Sequence, residues 1–344
     1  MFGKPKKYLG IDLGSTSIKL VELYKKGKIP TLSTYGYAER SSEDDLRLAE
    51  KQEEAVSRVA SLLKKLCQSA GVSSFDVISA LPNFSVFNST IMIPVMKDKE
   101  LREAIKWEAK KFIPLPLEEV ILDWKIIEKV KVDRTEKYRI LLTVASKELV
   151  KKYVDVFKEA ELRISALETE AFALARSLVG KDPQPVMIVD ASAVSTDIIV
   201  VEKGIPVLNR SIDVGGVTLT RAIANSLGVD FKRADQFKRD VGMSGESKVP
   251  KLIETLMKPV IDEINYSLNL YQSQTKKNVE KIVLSGGSAY LPNFDKYLEK
   301  IINLKVFVGD PFSRIAYPLE LKPALVEVAP RFAVAIGLAL RELE

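Results

Sequence analysis

Residues 11–22 read IDLGSTSIKLVE and residues 189–202 read VDASAVSTDIIVVE. Each stretch is a short apolar strand ending in aspartate, a turn of small and hydroxyl-bearing residues, and a β-branched strand ending in glutamate. That pattern predicts a β-hairpin with an acidic residue at the mouth of its turn. The copies lie about half a chain apart, and recurrence at that spacing predicts two similar α/β domains facing each other with both turns in one cleft. Chance recurrence of an Asp and Ser/Thr turn is the plainer alternative. A third stretch, IVLSGGSAYLPNF at 282–294, puts Gly286 and Gly287 at the end of another buried strand. Either the chain turns tightly there, since glycine adopts angles other residues avoid, or a ligand must lie close to the backbone.

The chemistry of the first turn favours phosphate. Gly14, Ser15, Thr16 and Ser17 offer backbone N–H groups and hydroxyls in a donor-rich concavity, and Lys19 reaches the same oxygens as a point charge. Asp12 and Asp190 would repel a bare phosphate, so their presence predicts an intervening cation, Mg²⁺ held through water by the two carboxylates and by phosphate oxygens. No GxxxxGK(S/T) loop occurs, so the site is not a P-loop.

Composition narrows the remaining chemistry. A chain of 344 residues has room for two domains with separate cores. Hydrophobic content of 46% against 28% charge is that of a soluble globular protein. The apolar run Phe332 to Leu340 falls well short of the roughly 20 residues that span a bilayer, and MFGKPKKYLG carries no apolar signal segment, so no transmembrane segment and a cytoplasmic location are expected. The sequence has no histidine, which excludes serine-histidine triads and histidine metal sites, and its single cysteine, Cys67 in a helical pattern, excludes an internal disulfide. The net charge of +6 is spread along the chain, so nucleic acid is not an expected partner. Lys4, Lys6 and Lys7 are too few to establish lipid contact.

Read for organisation, the chain opens with strands at Tyr8–Asp12 and Ser17–Leu23, then a polar stretch and a helix from about Ser41 to Ala70. From Asp76 a strand, the alternating LPNFSVFNSTIMIPV, a helix from about Lys99 to Lys111, the segments FIPLPLEEVILDWKII and YRILLTVAS, and a helix from Lys147 form a small β-α-β-β-α unit. The plan restarts at Val186, with helices dominating between Thr218 and Thr275. The expected organisation is a first domain over 1–80, an inserted subdomain over 81–162, a return with a connecting helix over 163–187, a second domain over 188–330, and a hinge helix over 331–344 that rejoins the first. The inserted unit places Trp107, Phe112, Ile113, Pro114, Leu115, Pro116 and Trp124 within a short span. Such density predicts a groove for an extended partner segment between this unit and the first domain, with a compact local core as the alternative.

Together these residues resemble the actin-like ATPase superfamily, which includes sugar kinases and heat-shock chaperone ATPases. Asp12 to Lys19 is similar to its first phosphate motif, Val189 to Ile198 to the second, Ile282 to Ser288 to the adenosine motif, and RFAVAIGLALREL to its second connecting helix. Within the superfamily, IKWEAKKFIPLPLEEVILDW at 105–124, LPNFSVF, SIDVGGVTLTRAIANSLGVD at 211–230 and GGSAYLPNF resemble the PilM family of type IV pilus assembly, and more distantly FtsA. The resemblance implies a fold of two duplicated ribonuclease-H-like domains, ATP and Mg²⁺ as ligands, and further contacts. Ser195 and Thr196 would approach the phosphates from the second side, with Gly215 and Gly216 under the sugar. Asp235 and Lys238 would reach ribose or adenine, and Gly286, Gly287 and Ser288 the nucleoside. Ser192 stands where the motif usually has glycine. Glu168 is placed to orient attacking water on the connecting helix, a role compatible at most with slow hydrolysis.

The PilM resemblance also implies a partner, the cytoplasmic N-terminal tail of the inner-membrane protein PilN, with Trp107, Phe112, Ile113 and Pro114 on the groove wall. The protein would then sit at the inner membrane within a pilus assembly complex, with self-association open. Two alternatives belong to other classes. A sugar-type kinase calls for polar substrate contacts where this insertion is apolar. An FtsA-like filament protein calls for a linker and amphipathic helix where this sequence ends at Glu344.

Overall fold

The computed structural model describes residues 5–40, 52–113, 115–245 and 247–343. Strands β1 (Lys7–Leu13), β2 (Ser17–Lys26) and β3 (Ile29–Glu39) form an antiparallel meander. Helix α1 (Gln52–Ser69) follows, and β4 (Asp76–Leu81) lies parallel to β1. The chain then leaves this sheet. Strand β5 (Val86–Pro94), helix α2 (Asp98–Ala109), β6 (Val120–Val132) and β7 (Thr135–Ser146) build a three-stranded sheet in the order β5-β7-β6. It returns through α3 (Lys147–Glu159) to β8 (Arg163–Thr169), completing a first sheet in the order β3-β2-β1-β4-β8.

Helix α4 (Glu170–Leu174) runs into a π-helical turn at Ala175–Val179, and the plan repeats. Strands β9 (Val186–Ala191), β10 (Thr196–Glu202) and β11 (Ile205–Ile212) form the second meander. Helices α5 (Gly216–Leu227), α6 (Phe231–Val241) and α7 (Lys248–Thr275) lead to β12 (Lys281–Ser285), α8 (Phe294–Ile302) and β13 (Lys305–Val308), giving the order β11-β10-β9-β12-β13. Helices α9 (Lys322–Val328) and α10 (Ala333–Leu340) close the chain. The duplication holds residue by residue, since Asp12 pairs with Lys19 across its hairpin and Asp190 with Asp197 across the other.

The glutamates that end the two quoted stretches share a role. Glu22 is fully buried and accepts from Lys7 Nζ (2.9 Å), Ser33 Oγ (2.9 Å) and the amides of Ser73 and Ser74 (2.8 Å each), which pins the turn before β4 to the first hairpin. Burial pushes its carboxyl up, yet the hydrogen bonds led by Lys7 outweigh that and hold it below the usual range. Glu202 is likewise buried and paired with Arg139 (2.9 Å) and Lys277.

Three elements differ from the sequence reading. Strand β3 occupies what reads as a polar stretch, because this edge strand buries only Leu32 and so lacks a strong apolar alternation. Helix α3 reads as part of the inserted unit, but Leu149, Tyr153, Val156 and Phe157 pack into the core of the first sheet with Leu9 and Ile11. The helix expected from Ser41 is described only from Gln52, and residues 41–51 lie outside the described residues.

Leu319–Leu340 is long and apolar enough to cross a membrane by composition, but 67% of its most apolar window is buried in the fold. All eight residues of α10 are buried, each large aliphatic side chain contributing about 2 kcal/mol of transfer free energy, which explains why the helix is apolar all round. It touches α4 backbone to backbone: a Cβ on Gly337 would lie 2.0 Å from the Ala173 carbonyl oxygen. Arg176 bridges the same crossing, donating to the Gly337 carbonyl (2.6 Å) and to Glu168 (2.8 Å).

Gly337→Ala should therefore destabilise the protein by about 3 kcal/mol through overpacking, against a helix-propensity gain of about 1 kcal/mol, read as a lower denaturant midpoint with an unchanged slope. An unchanged or higher midpoint would contradict the close crossing. A second expectation concerns acid. Glu22 has a depressed folded pKa, so its stabilisation is present above the unfolded value near about 4.3 and is lost as pH falls through the folded value. Glu22→Gln should flatten the fall in stability below pH of about 4.3, and an unchanged acid limb would rule the residue out as an anchor.

Candidate functional site

Where the two hairpin turns face each other, the fold leaves a cleft of about 570 Å³, a volume typical of small-ligand sites. Asp12, Gly14, Ser15, Thr16, Ser17 and Lys19 line one wall. Asp190, Ser192, Ser195, Gly216, Asp235, Lys238, Gly286, Gly287 and Ser288 line the other. Three of the expected residues are not on the wall: Thr196, Gly215 and Glu168.

The first loop is held from both sides. Lys19 Nζ lies 3.0 Å from Asp12 Oδ2, while the Arg40 amide donates to the Thr16 carbonyl (2.9 Å) and Arg40 Nε to the Ser15 carbonyl (3.1 Å). The second loop is tied to α5, because the amides of Gly216 and Val217 donate to the carbonyls of Ser192 (2.9 Å) and Ala193 (2.8 Å). Ser192, in place of glycine, turns its side chain onto the neighbouring aspartate. Its hydroxyl donates to Asp190 Oδ2 (2.7 Å), fixing the carboxylate. Thr196 spends its hydroxyl on the Val214 carbonyl (2.7 Å), which is why it is structural. Gly215 is required by packing, since a Cβ there would lie 2.6 Å from the Ala193 backbone.

The glycine pair divides its work in a way the sequence leaves hidden. Gly286 sits at φ +81° with its missing Cβ 2.5 Å from the Ala191 carbonyl, so the packing of the β12 end on the second loop demands it. Gly287 faces open cleft, where a Cβ would meet only Arg331 Nε, at 3.7 Å. Lys238 is buried and donates to Asp235 Oδ1 (2.6 Å), Thr220 Oγ1 (2.6 Å) and the Gly216 carbonyl (3.1 Å), so it joins α6 to α5. Burial lowers its pKa, opposed by Asp235.

The acidic floor contains a residue that the sequence reading misses. Glu168 lies on β8 and is engaged by Arg176 (2.8 Å) and Arg341 (3.5 Å), outside the cleft. The strand runs on to Thr169, so the connecting helix starts two residues after Glu168, and it is Glu170 that lines the cleft, accepting from the Asn83 amide (3.0 Å). Burial, together with the charges of Asp197 and Asp12, pushes the Glu170 carboxyl well up. Burial also raises Asp190, against hydrogen bonds from Ser192 and Ser285. Adjacent carboxyls whose ionisation burial opposes are what a hard cation relieves. No cluster of three or more Asp, Glu, His or Cys able to hold a metal occurs among the described residues. The cleft lining also includes the rings of Phe231 and Tyr290 and the guanidinium groups of Arg239 and Arg331, groups able to contact a ring.

On the inserted unit, Trp107 is 69% exposed and Phe112 is 45% exposed, forming a ridge on α2 and the turn after it, with Lys110 Nζ 5.0 Å from the Trp107 ring. Ile113 and Trp124 pack against the local core, so the cluster divides between the two expectations, and Pro114 lies outside the described residues.

A family model for the type IV pilus assembly protein PilM matches residues 10–343. Among solved structures, the "PilM-PilN type IV pilus biogenesis complex" is similar at 26% identity and TM-score 0.86, covering 99% of this chain and 100% of that one. The ethanolamine utilization protein EutJ of Carboxydothermus hydrogenoformans is similar at 17% identity and TM-score 0.57, over 99% and 91% of the two chains. MreB 5 of Spiroplasma citri bound to AMPPNP follows at 14% identity and TM-score 0.54, over 97% and 95%. These last two share the fold, a duplicated actin-like architecture. The chain therefore belongs to the PilM family of type IV pilus assembly proteins.

Proposed function

We propose that the protein is an ATP-loaded adaptor of the type IV pilus assembly machinery, held at the inner membrane by binding the N-terminal cytoplasmic tail of PilN. The observation that carries the nucleotide part is the cleft itself: two facing hairpin turns supply donors for phosphate around carboxyls that burial disfavours as free anions. Gly14 to Ser17 and Lys19 would hold the terminal phosphates, Asp12 and Asp190 the Mg²⁺ through water, and Gly287, Lys238 and Arg331 the nucleoside end. When bound, Mg²⁺ neutralises phosphate charge beside the acidic floor. We assign to Glu170 the orienting of water, and one of its oxygens is already committed to the Asn83 amide (3.0 Å). Hydrolysis should therefore be slow, below about 1 s⁻¹, and a faster turnover measured by phosphate release would remove the basis for a nucleotide-holding adaptor.

Asp12→Ala and Gly287→Val test the site. Since the Gly287 position is open towards the cleft, the valine fills ligand space without displacing backbone. Calorimetry should show each variant losing at least about tenfold in affinity for ATP with Mg²⁺ while circular dichroism and melting stay near wild type. Wild-type affinity in both variants would show that the site is elsewhere.

The partner reading rests on the exposed ridge of Trp107 and Phe112, which costs the folded chain apolar exposure. An extended tail can set alternate apolar side chains against such a ridge. Trp107→Ala, a change of a largely exposed side chain, should weaken binding of a synthetic PilN tail peptide by about tenfold or more, as expected for an aromatic anchor, and substitutions on exposed positions of α5 to α7 should leave it unchanged. Crosslinks placing the peptide on the second sheet would overturn this assignment.

A further inference from the structure

The cleft occupies one end of the first sheet, where β1 turns into β2 at Asp12 to Ser17. The other end carries charge that neither the cleft nor the ridge of Trp107 uses. In the sequence Lys6 and Lys7 are too few to signify, and Lys4 lies outside the described residues. Folding brings more cations beside them. Lys7 stands opposite Tyr24, so the β2–β3 hairpin runs on past the start of β1 by Lys25 and Lys26, about 7 Å. Lys25, Lys26, Lys28 and Ile29 at its tip are all exposed, Ile29 at 59%.

The same end continues across the sheet. Phe75, immediately before β4, is 68% exposed although its carbonyl is fixed by the Arg163 amide at the start of β8 (2.9 Å). With neighbouring strands about 4.8 Å apart, a sheet of this order presents an end about 19 Å wide. The carboxylates there are already committed. Glu22 is buried and bound to Lys7 (2.9 Å), and Asp76 holds Arg163. Lys6, Lys25, Lys26 and Lys28 enter no ion pair among the described residues. Lys6 Nζ lies 5.2 Å from the Tyr8 ring, and Lys25 Nζ reaches only the Leu343 carbonyl (3.5 Å). Neither Ile29 nor Phe75 packs into a hydrophobic core.

We propose that this end of the first sheet lies directly on the anionic cytoplasmic leaflet of the membrane, with the lysines facing lipid phosphates and Ile29 and Phe75 entering the headgroup boundary. Cations alone would attract any polyanion. Exposed apolar side chains set among them gain nothing from a soluble anion, whereas a bilayer interface takes them out of water while the charges remain at its surface. Where the membrane lies rests on the adaptor reading: a chain held by the cytoplasmic tail of an inner-membrane protein stays close to the leaflet, so a weak lipid contact acts at high local concentration. Lys7 and Asp12 are separated along β1 by about 17 Å, so a protein seated on lipid by this end keeps its cleft clear of the bilayer.

The test is sedimentation of the full chain, without partner peptide, with vesicles of phosphatidylcholine alone and of an equimolar mixture of phosphatidylcholine and phosphatidylglycerol. The anionic vesicles should capture the protein at least about tenfold better at low salt, with the difference collapsing as ionic strength rises. Lys26→Glu combined with Lys28→Glu should remove most of that preference, and Ile29→Ser should weaken capture about threefold while leaving its salt dependence in place. These exposed positions are remote from the cleft, so melting temperature and ATP affinity should stay at wild-type values. Phe75→Ser, on a separate segment, carries the test if the hairpin variants do not fold. Equal capture by both vesicle types, capture by neither, or undiminished capture of the hairpin and Phe75 variants overturns the lipid contact. So does binding to soluble polyglutamate with none to vesicles, which reassigns the patch to an acidic protein segment. A chain that binds the PilN tail peptide in calorimetry but not anionic vesicles leaves the adaptor standing and removes the lipid contact. Binding to vesicles but not to the peptide does the reverse.

Discussion

The crossing of α10 over α4 at Gly337 holds the two sheets at the separation where Asp12 and Asp190 share one cleft. Backbone contact at the crossing leaves no room for sliding, and Arg176 adds a hydrogen bond to the Gly337 carbonyl (2.6 Å) and an ion pair with Glu168 (2.8 Å). The crossing lies beside the π-helical turn at Ala175–Val179, so the path from the first sheet to the second runs through it.

Much of this is legible in the sequence because duplication writes the same local pattern twice. The paired hairpins, the acidic residue at each turn and the order of the inserted strands all follow from alternation and turn chemistry over a few residues. What escapes is decided by distant parts of the chain. Strand β3 hides because an edge strand buries little, and α3 joins the first core although its neighbours in sequence belong to the small sheet. The choice between Glu168 and Glu170 depends on where β8 yields to α4, and a shift of two residues moves the carboxyl from an arginine pair outside the cleft to its floor.

Glycines illustrate the same limit at the level of one residue. Gly286 and Gly287 are equivalent in the sequence, yet one is imposed by the Ala191 backbone at 2.5 Å and the other only by the open cleft. Only the second informs on a ligand. Ser192 is the converse case: a substitution that looks unfavourable for approach to phosphate becomes a hydrogen bond that orients Asp190 (2.7 Å). A motif read from spacing identifies which residues meet, whereas the partners of each atom determine what they do there.

The cleft lining mixes both signs of charge. Asp12, Glu170, Asp190 and Asp197 line it with Lys19 and Arg40, and Asp235, paired with Lys238 and Arg239, lines it with Arg331. A polyanion alone would meet repulsion at the floor, and a cation alone would find too few ligands. On the adaptor reading the two together would satisfy both, and electrostatics would make their binding cooperative. Closing the walls also removes water from those charges, which strengthens their interaction with the bound pair and raises the cost of leaving the carboxyls unneutralised.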